Sequence, residues 1–281
     1  MVVLEIDAEL LKIREGEKNR ITLTAVFENS CYGFNGDRLI TVLPKEKSLL
    51  PRSLTIDGAW KSHGFKVGQT LIIGNGHYDN LRLNEETKVL DLSLQDKEVV
   101  NLDKKKEQIK RFLAQSKEFL KGIGKVYLLK QPDKNPPLEL ATNSMELKIS
   151  KRIDDLIQSL KDKKEITAGN VIGYGLGLTP SADDFILGML STLEGEEQKV
   201  RRNILKDYIL KHYDGTTQVS QYMLYYGMEH YTYPKFLCDF LLKPWEENDG
   251  FHEFLAHGST SGTDLLTGIM VGMEILMDGK P

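Results

Sequence analysis

The sequence predicts an α+β protein, in which an antiparallel β-rich sandwich or barrel over residues 1–102 precedes a mainly helical domain over residues 103–281. Short aliphatic and β-branched runs alternate with turn residues as far as Leu94, which is typical of strands. After Leu102 the apolar residues recur every three or four positions, which is typical of helices. Because the strands come first and the helices follow, the pattern favours segregated elements over alternating βαβ units.

The predicted strands are separated by FNGD, DG and GNG turns, which favour tight connections between neighbouring strands. Each run is short and rich in Ile, Leu, Val and Thr, as expected for strands with at least one buried face. The five strands predicted in this way are residues 21–27, 38–44, 53–56, 70–74 and 88–94.

The helical half begins with a run whose apolar side chains share one face, and this helix is predicted to end at Gly122. The proline-rich stretch 132–137 (PDKNPP) is predicted to be a loop and a boundary. A second amphipathic helix follows, with Ile153 and Leu156 on its apolar face. Further helices are predicted over residues 184–193, 200–210 and 217–228 and at the C-terminus.

Composition excludes several classes of protein. With 37 Lys+Arg against 41 Asp+Glu and a net charge of -4, the 281-residue chain shows no basic block suited to nucleic acid. Cys31 and Cys238 match no metal-binding spacing and are expected to remain thiols in a reducing compartment. The longest apolar run, residues 265–277, is too short and too interrupted to span a bilayer. We therefore expect a cytoplasmic protein with neither nucleic acid nor membrane as a partner.

The most informative segment is GYGLGLTPSADD, residues 173–184. Gly173, Gly175 and Gly177 stand at alternate positions, so the backbone can adopt conformations closed to other residues and its amides can approach a ligand. Thr179 and Pro180 are predicted to be the N-cap and first residue of a helix. Such a loop suits a phosphate or a carboxylate, although glycines before a helix also serve only to make a tight turn.

Asp183 and Asp184 open this apolar helix. Acidic residues in a first turn are favoured by the helix dipole, so capping alone explains one of them. Successive helical side chains point about 100° apart, so one carboxylate is predicted to serve the loop. The other is then free to face a pocket as a base, a metal ligand or a hydrogen-bond acceptor.

A similar sequence pattern recurs in HGSTSGTDLLTG, residues 257–268. The pattern Gly-x-Thr-x-x-x-Asp begins at Gly177 and again at Gly258, each time before an apolar helix. Small residues would let the two helices pack closely, with their N-termini at one level, and form a cleft for an anion with two charged ends. The residues that would permit this approach are Gly188, Gly268 and Gly272.

Between the two segments lies the polar stretch TTQVS. Thr216 is predicted to cap the following helix, while Thr217 and Ser220 would share a face and donate to one ligand. His257, which directly precedes the second loop, is the best-placed histidine for proton transfer, with a surface or capping role as the alternative.

In this order, GYGLGLTPSADD, TTQVS and HGSTSGTDLLTG resemble the AllH-type family associated with oxamate carbamoyltransferase. The resemblance covers roughly residues 173–277 and departs from the pattern at Ala182, where a glycine is expected, and at Thr260 and Thr263. It implies one subunit that works with two others in anaerobic allantoin breakdown. It further implies the conversion of an N-carbamoyl-oxamate-type substrate and phosphate to oxamate and carbamoyl phosphate, but it carries over no catalytic residues.

The chemistry of that reaction gives the candidate residues their hypothetical roles. Carbamoyl transfer passes through a tetrahedral oxyanion, which backbone amides and hydroxyls stabilise. Loop amides would hold the anionic ends, Thr179 and Thr217 would donate to the carbonyl, and Asp183 or Asp184 would orient the amino group. The candidate catalytic residues are Asp183, Asp184, Asp264 and His257; the candidate substrate-binding residues are Gly175, Gly177, Thr179, Ser181, Thr216, Thr217, Ser220, Gly258, Ser259, Thr260 and Ser261.

Direct transfer is expected, because neither Ser181 nor Ser259 has a recognisable base beside it in the sequence. The predicted partners are a small anionic substrate (phosphate, carbamoyl phosphate or a carboxylate) and the other subunits of the assembly. The competing hypothesis is a non-catalytic binding or scaffolding subunit. No cofactor is predicted, with a Mg²⁺ ion on Asp183, Asp184 and Asp264 as a remaining alternative.

Overall fold

A computed structural model describes residues 1–12, 19–76, 79–115, 122–128, 144–244, 251–258 and 260–277. The predicted loop 132–137, Ser259 and His77 lie outside these ranges. The chain forms two compact units, one of residues 1–93 with 232–238 and one of residues 94–231 with 239–281.

The α+β class is confirmed, with a curled sheet followed by helices. Three of the predicted strands have the expected bounds, while the strand predicted over residues 88–94 covers only its first three residues. Three strands, β1, β3 and β7, were not predicted. The strands are β1 (Val3–Asp7), β2 (Asn19–Val26), β3 (Cys31–Asn35), β4 (Arg38–Pro44), β5 (Ser53–Ile56), β6 (Thr70–Gly74), β7 (Leu81–Arg82) and β8 (Lys88–Leu90).

The strands form one sheet in the order β7-β6-β2-β3-β4-β5-β1-β8. It is a mixed sheet, because the pairs β1/β8, β4/β5 and β6/β7 are parallel. The predicted antiparallel arrangement therefore does not extend to these three pairs. For β1/β8 the reason is long-range pairing, because β1, which the turn pattern does not reveal, inserts between β5 and β8.

The first unit has its own apolar core and is not continuous in sequence. Ile6, Ile21, Val42 and Leu54 are among the residues fully buried in that core. The segment 232–238 contributes a bridge to Ser93 and an amide that donates to the Leu92 carbonyl at 3.1 Å. This unit therefore needs a piece of chain that lies far along the sequence.

The second unit is helical, and within its described residues no strand interrupts the helices. The predicted helix over residues 103–122 ends earlier, and α2 begins at the glycine that was expected to end it. The short α7 and α8 were not predicted, and α7 runs from the first unit into the second. The helices are α1 (Leu102–Gln115), α2 (Gly122–Leu128), α3 (Ser144–Lys161), α4 (Ser181–Leu190), α5 (Lys199–His212), α6 (Gln218–His230), α7 (Lys235–Leu242), α8 (Phe251–Leu255) and α9 (Ser261–Met277).

The two most apolar helices, α4 and α9, are buried along almost their whole length. Across the ranges that the structure describes, none of the helices combines the length and the apolar character needed to cross a bilayer. The apolar surface of α4 and α9 is instead covered by the rest of the helical unit, which makes their contact the centre of that unit.

Candidate functional site

Helices α4 and α9 lie side by side and run in the same direction, backbone against backbone. A Cβ atom added to Gly188 would lie 2.2 Å from the Leu265 carbonyl oxygen, and one added to Gly268 would lie 2.0 Å from the Phe185 carbonyl oxygen. A Cβ on Gly272 would lie 1.9 Å from a Thr192 side-chain oxygen. The expectation that these glycines permit close approach is confirmed, because only a residue without a side chain fits at these points.

The internal repeat has a different register from the one read in the sequence. The first helical residues are Ser181 in α4 and Ser261 in α9, so both helices begin Ser-x-x-Asp-x-x-x-Gly. Asp264 is therefore the counterpart of Asp184, whereas the sequence pattern paired it with Asp183. The register differs by one residue because the helix start, rather than the preceding glycine, sets which way each side chain points.

Six polar residues meet where the two helices begin, and we call them the head cluster: Thr179, Ser181, Asp184, Thr260, Ser261 and Asp264. Their hydroxyl oxygens connect the two segments, with 3.1 Å between those of Thr179 and Ser261 and 3.5 Å between those of Ser181 and Thr260. The predicted meeting of the two loop–helix segments is confirmed by these contacts. Thr179 and Thr260 are half-buried, while the other four members are buried.

Asp264 has no solvent exposure. Its Oδ1 accepts hydrogen bonds from the backbone amides of Ile123 at 2.8 Å and Gly124 at 3.1 Å, so it holds the start of α2. Burial raises the pKa of Asp264 to about 7, against the opposing effects of the Ser181 hydroxyl and the two amides. The contribution of α2 was missed, because residues 122–124 carry only glycines and an apolar side chain as a signal.

Asp184 is 4% exposed and lies close enough to Asp264 for the two charges to interact. Burial raises the pKa of Asp184 well above its usual value, and the charge of Asp264 raises it further, while the Ser261 hydroxyl opposes the change. Within the described structure, neither Oδ2 of Asp184 nor Oδ2 of Asp264 has a hydrogen-bond partner. We call these two residues the acid pair; like-charge repulsion in a buried site disfavours a state with both ionised.

Asp183 has a different environment, although it is adjacent in sequence. Its Oδ1 accepts from the amide of Gly173 at 2.8 Å, and its Oδ2 accepts from the hydroxyl of Thr216. Burial raises the pKa of Asp183, and the hydroxyls of Thr216 and Ser220 and the Gly173 amide counteract that rise. This carboxylate joins residues 173–177, which we call the glycine loop, to the start of α6. One acid therefore serves the loop, as the sequence suggested.

The caps of α4 and α6 differ from the predicted ones by one residue each. Pro180, not Thr179, is the N-cap of α4, and the Thr179 hydroxyl instead contacts Ser261. Thr217, not Thr216, caps α6: its hydroxyl accepts from the Ser220 amide at 3.2 Å and donates to the Leu178 carbonyl. Tertiary partners decide these positions, since adjacent threonines have the same intrinsic capping preference.

The glycine loop adopts conformations that only glycine takes readily, with φ of 126° at Gly175 and 100° at Gly177. Leu176 between them is 93% exposed. Among the described residues, the amides from Gly175 to Gly177 have no protein acceptor, whereas the Ala182 amide of α4 donates to the Tyr174 carbonyl at 2.9 Å. The loop amides, more than the first turn of α4, are thus open to a ligand.

The second loop is described only in part. Gly258 has a left-handed conformation with φ of 69°, and the His257 carbonyl accepts from the Gly262 amide at 3.1 Å. His257 itself is half-buried. Ser259 lies outside the described residues, and the roles assigned to it and to His257 stay predictions.

These contacts bear on two predictions from the sequence: that Ser181 has no base beside it, and that no cofactor is bound. The carboxyl group of Asp264 lies beside the Ser181 hydroxyl, so Ser181 does have an acidic neighbour that its sequence context does not reveal. In the part of the chain that the structure covers, no group of three His, Cys, Asp or Glu side chains is arranged to hold a metal ion. Whether the protein uses a cofactor stays a prediction.

Comparison with protein families agrees with the resemblance noted in the sequence. Residues 171–273 match the family described as oxamate carbamoyltransferase subunit AllH. The matched region contains the glycine loop, the start of α6 and the whole head cluster. No curated protein and no solved structure gave a significant match to the chain.

Proposed function

We propose that this chain is a subunit of an oxamate carbamoyltransferase-like enzyme that acts on small anionic metabolites of allantoin degradation. The family match over residues 171–273 supports the subunit assignment. The observation that carries the proposal further is the meeting of an exposed glycine loop with a buried, hydroxyl-lined acid pair at the start of α4 and α9.

The glycine loop is the proposed site for the anionic part of the substrate. Open backbone amides at Gly175, Leu176 and Gly177 suit phosphate or carboxylate oxygens, as glycine-rich loops before helices commonly do. The neighbouring acids would repel an anion if both were charged. Because burial raises the pKa of Asp264 to about 7, part of that negative charge is absent near neutral pH.

In the proposed reaction a phosphate oxygen attacks the carbamoyl carbon of an N-carbamoyl-oxamate-type substrate. The carbon–nitrogen bond to oxamate then breaks, and that nitrogen takes up a proton. Amides and hydroxyls near the loop would stabilise the intervening oxyanion, for which a single well-placed donor contributes about 2.7–4 kcal/mol. The transfer is proposed to be direct, without an acyl-enzyme intermediate on Ser181.

The test uses the purified chain alone and together with the other subunits of its assembly. Carbamoyl phosphate and oxamate are supplied, and release of inorganic phosphate is measured. We expect turnover that requires this chain and falls at least about a hundredfold with Gly177→Val, which blocks close approach to the loop. Full activity of the other subunits without this chain would contradict the proposal, and unchanged activity with the Gly177 variant would favour the scaffolding hypothesis.

A further inference from the structure

The acid pair contains two hydrogen-bond acceptors that have no partner among the residues the structure describes. Oδ2 of Asp184 and Oδ2 of Asp264 are both buried, and within the described residues neither atom accepts a hydrogen bond. A buried polar atom left in this state costs about 1–3 kcal/mol. The arrangement therefore lowers the stability of the fold when no ligand is bound. It points to a ligand that supplies the missing donors.

The pair is built with approximate two-fold symmetry between α4 and α9. The Ser261 hydroxyl of α9 lies beside the Asp184 carboxyl of α4, and the Ser181 hydroxyl of α4 lies beside the Asp264 carboxyl of α9. The close glycine contacts at Gly188 and Gly268 keep the two helix starts together. The two open acceptors consequently belong to one location rather than to separate surfaces.

The third carboxyl group nearby, that of Asp183, is fully hydrogen-bonded. Both oxygens of Asp183 accept hydrogen bonds, from Gly173 and from Thr216. Asp264 likewise uses its Oδ1 for two backbone amides and leaves only Oδ2 open. The open oxygens thus form a selective feature of the head cluster and are not shared by every acid at the helix starts.

We propose that Asp184 and Asp264 bind the primary amino group of a carbamoyl- or oxamate-type substrate, one N–H to each open oxygen. This inference rests on the proposed function and deepens it by naming the part of the substrate that the acids recognise. A planar –NH₂ group carries two donors, which matches two open acceptors. The anionic end is left to the loop amides, and Thr179 connects the two regions, since it follows the loop directly and contacts Ser261.

Recognition of this kind predicts discrimination against a methyl group. Pyruvate has the shape and charge of oxamate but carries CH₃ where oxamate carries NH₂. A site that binds an N–H group rejects the analogue without it, because the buried acceptors then stay unpaired. An anion site made only of loop amides would bind oxamate and pyruvate alike.

The experiment is titration calorimetry of oxamate and of pyruvate into the chain alone and into the assembled complex. We expect wild-type protein to bind oxamate at least about tenfold more tightly than pyruvate. The preference should fall towards one with Asp184→Asn, which removes one acceptor without touching the α2 amides. Asp214→Asn, at an exposed acid just before α6, is the matched control and should keep the full preference.

The outcomes separate the two proposals. Equal binding of oxamate and pyruvate by wild-type protein would overturn the amino-group inference and leave the anion-binding function standing. Absence of binding of both ligands, in the chain and in the complex, would overturn the proposed function and with it the inference. The wild-type comparison needs no variant, so a folding defect in Asp184→Asn cannot obscure it, and circular dichroism of that variant checks its fold.

Discussion

Asp183, Asp184 and Asp264 are three aspartates in the first turns of two similar helices, yet their surroundings give them different roles. Asp183 has a donor for each oxygen and ties the glycine loop to α6. Asp184 and Asp264 lie close enough for their charges to interact, and each has one oxygen without a hydrogen-bond partner among the described residues. One helical step of about 100° separates the loop anchor from the acid pair.

Asp264 is expected to make folding stability depend on pH. Its pKa is about 7 in the folded protein and 3.8 in the reference state. Its contribution is therefore fully present below pH 4 and is lost as pH rises through about 7, at roughly 1.4 kcal/mol per unit of pKa difference. Urea unfolding of wild type and Asp264→Asn at pH 5, 6 and 8 measures this.

We expect wild type to lose stability relative to Asp264→Asn between pH 5 and pH 8. Titrating groups that do not interact with Asp264, including Asp7 with its pKa of about 6, are common to both proteins and cancel in the difference, whereas Asp184 is coupled to Asp264 and contributes to it. Parallel stability curves would mean that Asp264 titrates as an ordinary carboxyl group.

Asp183→Asn is expected to loosen the glycine loop. The variant replaces one acceptor oxygen with an NH₂ group that cannot accept from Thr216, so a part-buried hydrogen bond is lost at a cost of about 1–3 kcal/mol. Urea unfolding measures the cost, and hydrogen exchange of the Gly173 amide reports the loop directly. Asp207→Asn, at an exposed position of α5, should leave both unchanged; unaltered exchange at Gly173 would contradict the anchoring role.

At the scale of elements, the central feature is the glycine contact between α4 and α9. Each helix places a glycine against a backbone carbonyl of the other, Gly188 against Leu265 and Gly268 against Phe185. Backbone atoms cannot move aside as a flexible side chain can, so these contacts fix the separation of the helices. That separation in turn sets how closely the acid pair approaches.

Gly188→Ala and Gly268→Ala should each destabilise the protein by about 1–3 kcal/mol or more through overpacking, despite the higher helix propensity of alanine. Asn203→Ala on the exposed face of α5 is the control, since the alanine introduced there faces solvent. Thermal unfolding measures the difference. A stabilising effect of Gly188→Ala would show that the helices are not in backbone contact.

Arg202 of α5 joins the ends of two other helices. Its guanidinium lies 2.6 Å from Glu194 Oε1 in a buried ion pair and donates to the Gly227 carbonyl of α6 and the Leu190 carbonyl of α4. The ammonium group introduced by Arg202→Lys cannot replace the several N–H donors of the planar guanidinium. Breaking a buried ion pair costs about 3–5 kcal/mol. Urea unfolding should show the loss, whereas Lys206→Arg on the same helix, where Glu229 is the partner at a half-exposed position, should show little change.

At the scale of the whole molecule, the division into units does not follow the order of the chain. The strand-rich unit includes residues 232–238, which follow α6 and contain the first residues of α7. Tyr233 in that segment has no solvent exposure and its amide donates to the Leu92 carbonyl. The thiol of Cys238 also donates a hydrogen bond to the Leu92 carbonyl.

A fragment of residues 1–102 should therefore expose apolar surface, although the sequence predicts it as a domain. We expect it to bind the dye ANS and to lack a cooperative thermal transition. A fragment in which a flexible linker adds residues 232–238 should bind less dye and melt cooperatively, because the missing contacts return. Equal behaviour of the two fragments would show that residues 1–102 suffice alone.

Local pattern accounts for much of this protein. The bounds of β4, β5 and β6, the switch to helical periodicity after Leu102 and the positions of the glycine loop follow from residues within a few positions of one another. Period, turn chemistry and glycine's freedom at positive φ are properties of short stretches of chain. Hence the position of the glycine loop and the approach of α4 to α9 were predictable.

Folding alone decides which polar groups meet. Asp264 pairs with Asp184 and not with Asp183, Thr217 caps α6 in place of Thr216, and the amides of α2 reach Asp264 from some 140 positions away. Parallel pairing in the sheet and the insertion of residues 232–238 are of the same kind. Each depends on long-range contacts that desolvate particular atoms, and a desolvated group takes whichever partner the packed chain brings within hydrogen-bond distance.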